Sequence, residues 1–424
     1  MTYDEAISFW YGRVNFEVRA AAPGDLKLER MRALLKLLGD PQDRVRLVHV
    51  TGTKGKGSTC AMLAAVLRAA GYRVGLFTSP HLEHVEERVQ VDGVPISRPE
   101  LAARMAEIAG AVYELERHGP PVTFFEIVTA LGFLHFCYRR CDVALIEVGL
   151  GGRFDSTNVC RPLVSVVTNV GLDHTAQLGN TPEEIAYQKA GIIKRRVPVV
   201  SGVTQDGPRA VVRRVAAELH APLWEVGLPG GGRQPPARGV TNLLGAHQAA
   251  NAAVAVAVVE RLRDAGMPIP DAAVRAGLAN VRWPARVELV AREPVVILDT
   301  AHNVPSAEAL VATLRESFPA AGVRRVVFAV SSDKQYPEML SILAGYFDHF
   351  HFTKYGNPRG VPPERLAAVL AEVAPGKPAT AHATSREAWA AARAAAGRDD
   401  LVCVTGSVFL AGELRSEVCG PVTA

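Results

Sequence analysis

The chain has 424 residues, 48% of them hydrophobic and 21% charged, with a formal net charge of +4. That length favours two domains, and no apolar run reaches the ~18 residues a membrane span needs, so no membrane partner is expected. The basic clusters Lys194-Arg195-Arg196 and Arg213-Arg214 are short and scattered, which excludes a nucleic-acid footprint, and the six cysteines form no C-x-x-C pair and read as buried thiols.

Residues 4–38 carry apolar positions at Leu28, Met31, Leu34, Leu35 and Leu38, and read as helical up to Gly39-Asp40-Pro41. The start, 1–10, carries acids and lacks a signal-peptide pattern, so a cytoplasmic enzyme is expected. Residues 47–51 then form a short β-branched run, followed by three glycines and two lysines within 52–57 and an Ala/Leu-rich helix to Ala70. Strand, glycine loop and helix make a phosphate cradle: glycines admit close approach of backbone N–H groups, and the helix start adds partial positive charge. The strict P-loop spacing is not met. Its first glycine would fall on Val50, and Gly57 follows Lys56 where Ser or Thr is usual. A strand at 72–78 completes a βαβ unit and implies a parallel sheet.

Residues 79–98 read as irregular, and His81 and His84 lack a third ligand for a local zinc site. Helices follow at 100–117 and 123–138. Glu126, near the start of the second, is either a buried ligand-binding carboxylate or a helix-start acid favoured by the dipole. The strand at 141–148 carries Glu147 at its carboxyl end, before the glycine-rich turn 149–155. The strand at 163–170 ends in Gly171-Leu172-Asp173-His174. Glu147 and His174 thus share one sheet edge with the cradle, and together they point to a metal–nucleotide site. Thr181-Pro182 opens a helix carrying Lys189, which on the residues alone reads as a solvated lysine.

A strand at 197–201 and a helix at 206–220 precede a Gly/Pro-rich loop at 227–239. The helix at 245–265 is expected to be buried in the first domain, with His247 and Asn251 on one face. A boundary is placed near 286–294, giving domains 1–290 and 291–424. Beyond it, strands at 295–298, 325–330, 349–353 and 401–404 alternate with helices, the pattern of a second parallel-sheet domain. Its first and last strands end in Asp299-Thr300-Ala301-His302-Asn303 and Thr405-Gly406-Ser407.

These motifs, in this order, resemble the folylpolyglutamate synthase / dihydrofolate synthase family of the Mur ligase superfamily. The matching stretches are 52–58, 78–82, 147–155, 171–174, 189–194, 245–251, 299–303 and 404–407. The resemblance implies an α/β fold: a P-loop-containing, Mur-ligase-like central domain with a parallel sheet, and a smaller Rossmann-like C-terminal domain. It implies an ATP-dependent ligase in which a folate or dihydropteroate carboxylate is phosphorylated and L-glutamate attacks the acyl phosphate. By the same resemblance, Gly52, Thr53, Lys54, Gly55, Lys56, Gly57 and Ser58 hold ATP, with Asn251, Arg286, Asp299 and His302. Ser79, Glu147 and His174 match magnesium ligands, and Lys189 matches a lysine carried as a carbamate. His174, Lys56 and Lys189 are the expected catalytic groups.

His81, Leu82, Phe124, Glu126, Arg153 and Asp155 fall in the expected substrate region. ATP and Mg²⁺ are the implied cofactors, with a monovalent cation left open, and a monomer is expected. Lys54 stands where the family usually has Asn, and Thr300 where Gly is more usual. Another Mur-superfamily amino-acid ligase is the alternative. A P-loop motor is disfavoured by the Asp299–His302 cluster and by the lack of a Walker-B-like acid.

Overall fold

The computed structural model describes residues 1–15, 27–117, 119–227, 240–356 and 358–420. Part of the helical expectation at 4–38, and the loop expected at 227–239 almost entirely, lie outside the described residues. The chain divides into two compact units: Met1–Asn242 with Gln248–Val281, and Leu243–His247 with Arg282–Ala424. The division falls at 281/282 rather than at 290/291, because the strand starting at Glu288 pairs within the second unit.

The first unit is built on an eight-stranded sheet. Its strands are β1 (Arg46–Thr51), β2 (Val74–Phe77), β3 (Val89–Val91), β4 (Val94–Pro95), β5 (Val143–Glu147), β6 (Val164–Val167), β7 (Val199–Ser201) and β8 (Leu223–Glu225). Their order is β4-β3-β2-β5-β1-β6-β7-β8. β1 lies between β5 and β6, parallel to both, with Val50 opposite Glu147 and Thr51 opposite Val167. That register brings three carboxyl ends level, so the loops leaving them crowd one edge. Except for Arg46, every residue of β1 is buried, as expected of a central parallel strand covered on both faces.

Phe77, Ala144 and Ile146 share one core with apolar residues of the helices Arg98–Glu116 and Phe124–Tyr138. Val167 and Val199 share another with the helices Pro182–Ala190 and Asp206–Glu218. The sheet is mixed rather than parallel throughout. Part of the stretch expected to be irregular folds as an antiparallel hairpin, β3–β4, beside β2. Gln90 and Asp92-Gly93 supply its polar positions and turn, a two-residue link too short to stand out among charged neighbours.

The second unit holds a six-stranded sheet of β9 (Glu288–Arg292), β10 (Val295–Leu298), β11 (Arg324–Phe328), β12 (His349–Phe352), β13 (Ala379–Ala381) and β14 (Leu401–Thr405). Its order is β13-β12-β11-β14-β10-β9, parallel except for the β9–β10 pair. Phe328, Phe347, Phe350 and Phe352 anchor its core. Strands β9 and β13 and the helix Asp271–Ala279 have no counterpart in the sequence reading. The two strands are only five and three residues long, too short to show a period of their own.

Candidate active site

The loop between β1 and the helix Lys56–Ala69 cannot carry side chains at two of its glycines. Gly52 has φ 155°, and a Cβ there would lie 1.8 Å from Thr168 Oγ1. Gly55 has φ 79°, and its Cβ would lie 2.2 Å from Asn251 Oδ1. The cradle is held from the β6 side. Thr53 N–H donates to the Asn169 carbonyl (3.1 Å), and Lys54 N–H to Asn169 Oδ1 (2.8 Å). Thr168 Oγ1 donates to the Lys54 carbonyl (2.6 Å). Thr53 Oγ1 donates to the Gly171 carbonyl and accepts Gly171 N–H. From the other flank, Thr51 Oγ1 donates to the Gly151 carbonyl (2.7 Å).

Thr51, Thr168 and Asn169 were missed by sequence reasoning. The signal was there, since each is a polar residue at the carboxyl end of an apolar strand.

The cradle opens onto a pocket lined by Gly52, Thr53, Lys56, Gly149, Gly151, Asp173, His174 and Lys189, among others. Lys56 donates through Nζ to the Gly52 carbonyl (3.1 Å), a bond any anion in the cradle can replace. Lys189 is 4% exposed rather than solvated. Burial, with the Lys56 cation nearby, lowers its amine from 10.5 to about 7, so a large neutral fraction exists at physiological pH. Asn251, on the helix Ala246–Asp264, is buried against Gly55 and donates to Gln248 Oε1.

Ser79 and Glu147 are brought together: Ser79 N–H donates to Glu147 Oε2 (3.2 Å), and Glu147 is 5% exposed. His174 has a half-exposed side chain and left-handed backbone (φ 51°), and its Nε2 is 3.8 Å from Asp173 Oδ1. Among the described residues no three His, Cys, Asp or Glu side chains form a metal-holding group. A buried carboxylate and a serine whose backbone meets it offer oxygen donors of the kind that suits Mg²⁺, which keeps waters and takes its other ligands from substrate phosphates.

The expected substrate residues divide. Glu126 accepts from Thr123 N and Oγ1 in a capping box, while Arg30 Nε lies 2.8 Å from both its oxygens. These are the contacts of a helix-start acid. Phe124 is 1% exposed and stacks on Trp10 at 4.9 Å, a core position. Phe125, one residue on, is the partly exposed ring, and it packs against Gly149. Helical rotation decides which of two adjacent aromatics faces the pocket edge, and the pair Phe-Phe does not reveal it.

Asp155 is buried and accepts Leu150 N–H, Thr157 N–H and, in a very short bond, Thr157 Oγ1, so it shapes the loop after β5. Burial pushes its carboxyl upward despite these donors. Thr157 Oγ1 also meets the buried His49 Nε2 (2.8 Å), whose ring burial holds near 3 and therefore neutral. Arg153 lies over the Tyr187 ring, 3.9 Å from its centroid. His81 Nδ1 accepts from the buried Arg88 (2.9 Å), and Leu82 N–H donates to Glu87.

In the second unit, Asp299 Oδ2 accepts Val287 N–H (3.0 Å), and its Oδ1 accepts from Ala301 N–H (2.7 Å) and Thr405 Oγ1. Ala285 and Val287 are both left-handed, which a β-branched residue rarely tolerates. Asp299, and Glu288 accepting Ala285 N–H, hold that turn, so Asp299 fixes the backbone that carries Arg286. Thr300 Oγ1 donates to the Ala285 carbonyl (3.3 Å), a bond glycine could not make. His302 Nδ1 is 2.8 Å from the Thr300 carbonyl.

Comparison with known proteins agrees with this architecture. Residues 50–230 match the Mur ligase middle domain, and 285–408 match the Mur ligase, glutamate ligase domain. The chain is 37% identical to the dihydrofolate synthase/folylpolyglutamate synthase of Bacillus subtilis, over 98% of this chain and 99% of that protein. Among solved structures, Mycobacterium tuberculosis folylpolyglutamate synthase complexed with ADP and AMPPCP superposes with a TM-score of 0.84 at 33% identity, covering 93% of this chain and 95% of that one. E. coli FolC in complex with DHPP and ADP also gives 0.84, at 30% identity, covering 99% and 98%. The cradle, the two α/β units and these full-length matches agree: the chain belongs to the folylpolyglutamate synthase/dihydrofolate synthase family of Mur ligases.

Proposed function

We propose that this chain is an ATP-dependent carbon–nitrogen ligase that joins L-glutamate to the carboxylate of a folate or dihydropteroate. The observation that carries the reading is the pocket uniting the cradle, Lys56 and a buried Lys189, in a chain related along nearly its whole length to such synthases. A carboxylate is a poor electrophile until an oxygen becomes a phosphate leaving group. The γ-phosphoryl group of ATP moves to that oxygen, ADP leaves, and the glutamate amine displaces phosphate from the acyl carbon to leave an amide.

Transfer between two anions needs positioning and charge neutralisation. The N–H groups that open the helix Lys56–Ala69 and the Lys56 ammonium meet the phosphates. Gly52 and Gly55 let them approach, and Asn251 braces the loop. Ser79 and Glu147 would hold Mg²⁺, with His174 nearby on the β6 loop; the ion supplies charge neutralisation at the phosphates when bound. Lys189 is carried as a carbamate: its neutral amine adds to CO₂ and releases a proton. What supports this is a buried amine titrating near neutrality beside the Lys56 cation, which would stabilise the anion formed.

The test is ADP release with Mg-ATP, bicarbonate and glutamate, offering dihydropteroate and tetrahydrofolate separately. Turnover that requires glutamate and one or both acceptors is expected. Turnover with neither acceptor, or without glutamate, would refute the reading.

A further inference from the structure

Lys54 stands where the family usually has Asn, and the resemblance places it on ATP with the rest of the cradle. The geometry points elsewhere: we infer that Lys54 and Asp173 are a positioning pair that couples the cradle to the loop carrying His174. Lys54 does not line the pocket, whereas Lys56, Asp173 and His174 do. Its backbone is pinned at both ends, through N–H to Asn169 Oδ1 and through its carbonyl to Thr168 Oγ1. Its side chain therefore leaves in a set direction and places Nζ 3.0 Å from Asp173 Oδ2.

Asp173 faces two ways. Oδ2 takes the Lys54 ammonium, while Oδ1 accepts His174 N–H (3.1 Å) and lies 3.8 Å from the His174 ring. His174 sits in a left-handed conformation that a non-glycine residue holds only when its surroundings impose it. Cradle, carboxylate and histidine thus form one relay of orientation. Beside it, Thr53 ties Gly171 through both its N–H and its carbonyl. A partly exposed ion pair adds little to folding stability, so the pair acts by direction rather than by strength.

This inference rests on the ligase reading, and the experiment separates the two. Lys54→Met, Asp173→Asn and the double variant are assayed for glutamate-dependent ADP release, with kcat and KM for ATP resolved. Each single variant should lower kcat about tenfold and leave KM for ATP within about twofold, and the double should lose no more than either single. Lys54→Arg, which keeps the cation, should retain most of kcat. The pair is overturned if Lys54→Met raises KM for ATP while Asp173→Asn does not, if the two losses multiply, or if Lys54→Arg fails like Lys54→Met.

A readout independent of turnover is the His174 ring resonance in the free protein. It should move in Lys54→Met, and an unmoved signal also overturns the pair. A wild-type chain that releases no ADP with any acceptor refutes the ligase reading instead.

Discussion

Replacing Lys189 by Met should abolish ligation and yet stabilise the protein. A fall of the amine from 10.5 to about 7 is worth on the order of 5 kcal/mol between its charged and neutral forms. The sign follows from linkage. The folded value lies below the unfolded one, so between about pH 7 and 10.5 the unfolded chain binds the extra proton and stability rises with pH. Below pH 7 the folded chain bears the full cost of a buried ammonium. Lys189→Met removes that cost and keeps the volume of the side chain.

In CO₂-free buffer at pH 6.5 the variant should therefore unfold several degrees higher than wild type, and the gap should close as pH climbs toward 10. Calorimetric melts of both proteins across that range measure it. Added bicarbonate should raise the wild-type midpoint alone, since only its amine can be carbamylated. Parallel pH profiles for the two proteins, or a lower melting point for the variant at pH 6.5, would refute the placement of Lys189 as a buried, neutral-leaning amine.

Gly55→Ala puts a Cβ 2.2 Å from Asn251 Oδ1 at φ 79°, so it should cost about 1–2 kcal/mol in urea unfolding and weaken nucleotide binding in a calorimetric titration. An unchanged midpoint would contradict the tight cradle. Glu126→Ala leaves the Arg30 guanidinium without this carboxylate and removes a cap, with an expected loss of about 3–5 kcal/mol but a folate KM within about twofold for the folded fraction. A selective rise in folate KM at normal stability would return Glu126 to the substrate. Glu147→Gln should raise the Mg²⁺ concentration for half-maximal turnover about tenfold, read by magnesium titration; an unchanged requirement would remove Glu147 from the metal.

What the chain discloses before folding depends on how local the signal is. The cradle, Glu147 and His174 were readable because polar residues at the carboxyl ends of apolar strands converge on one edge by topology alone. The burial of Lys189 was not, because only the packing of its helix against the sheet makes it a buried lysine. Phe124 and Glu126 fall in the expected substrate region and Asp155 in a matching motif, yet in the structure they make a core contact, a cap and a loop. A motif records that a residue is needed, not whether substrate or backbone needs it. The partnership of Lys54 with Asp173 spans 119 positions and depends on the register of β1 with β6, which no spacing rule encodes.

The β3–β4 hairpin has a consequence for the protein outside its chemistry. The eight-stranded sheet ends in a two-residue strand, exposed on both residues, whose last member, Pro95, has no N–H to offer. At one edge of the second unit's sheet, β13 is three residues long, exposed, and preceded by Lys377-Pro378. Short edges interrupted by proline make poor templates for a foreign strand. Without the hairpin, the fully buried Val-Gly-Leu-Phe of β2 would become an open ladder, inviting aggregation as the chain emerges and folds.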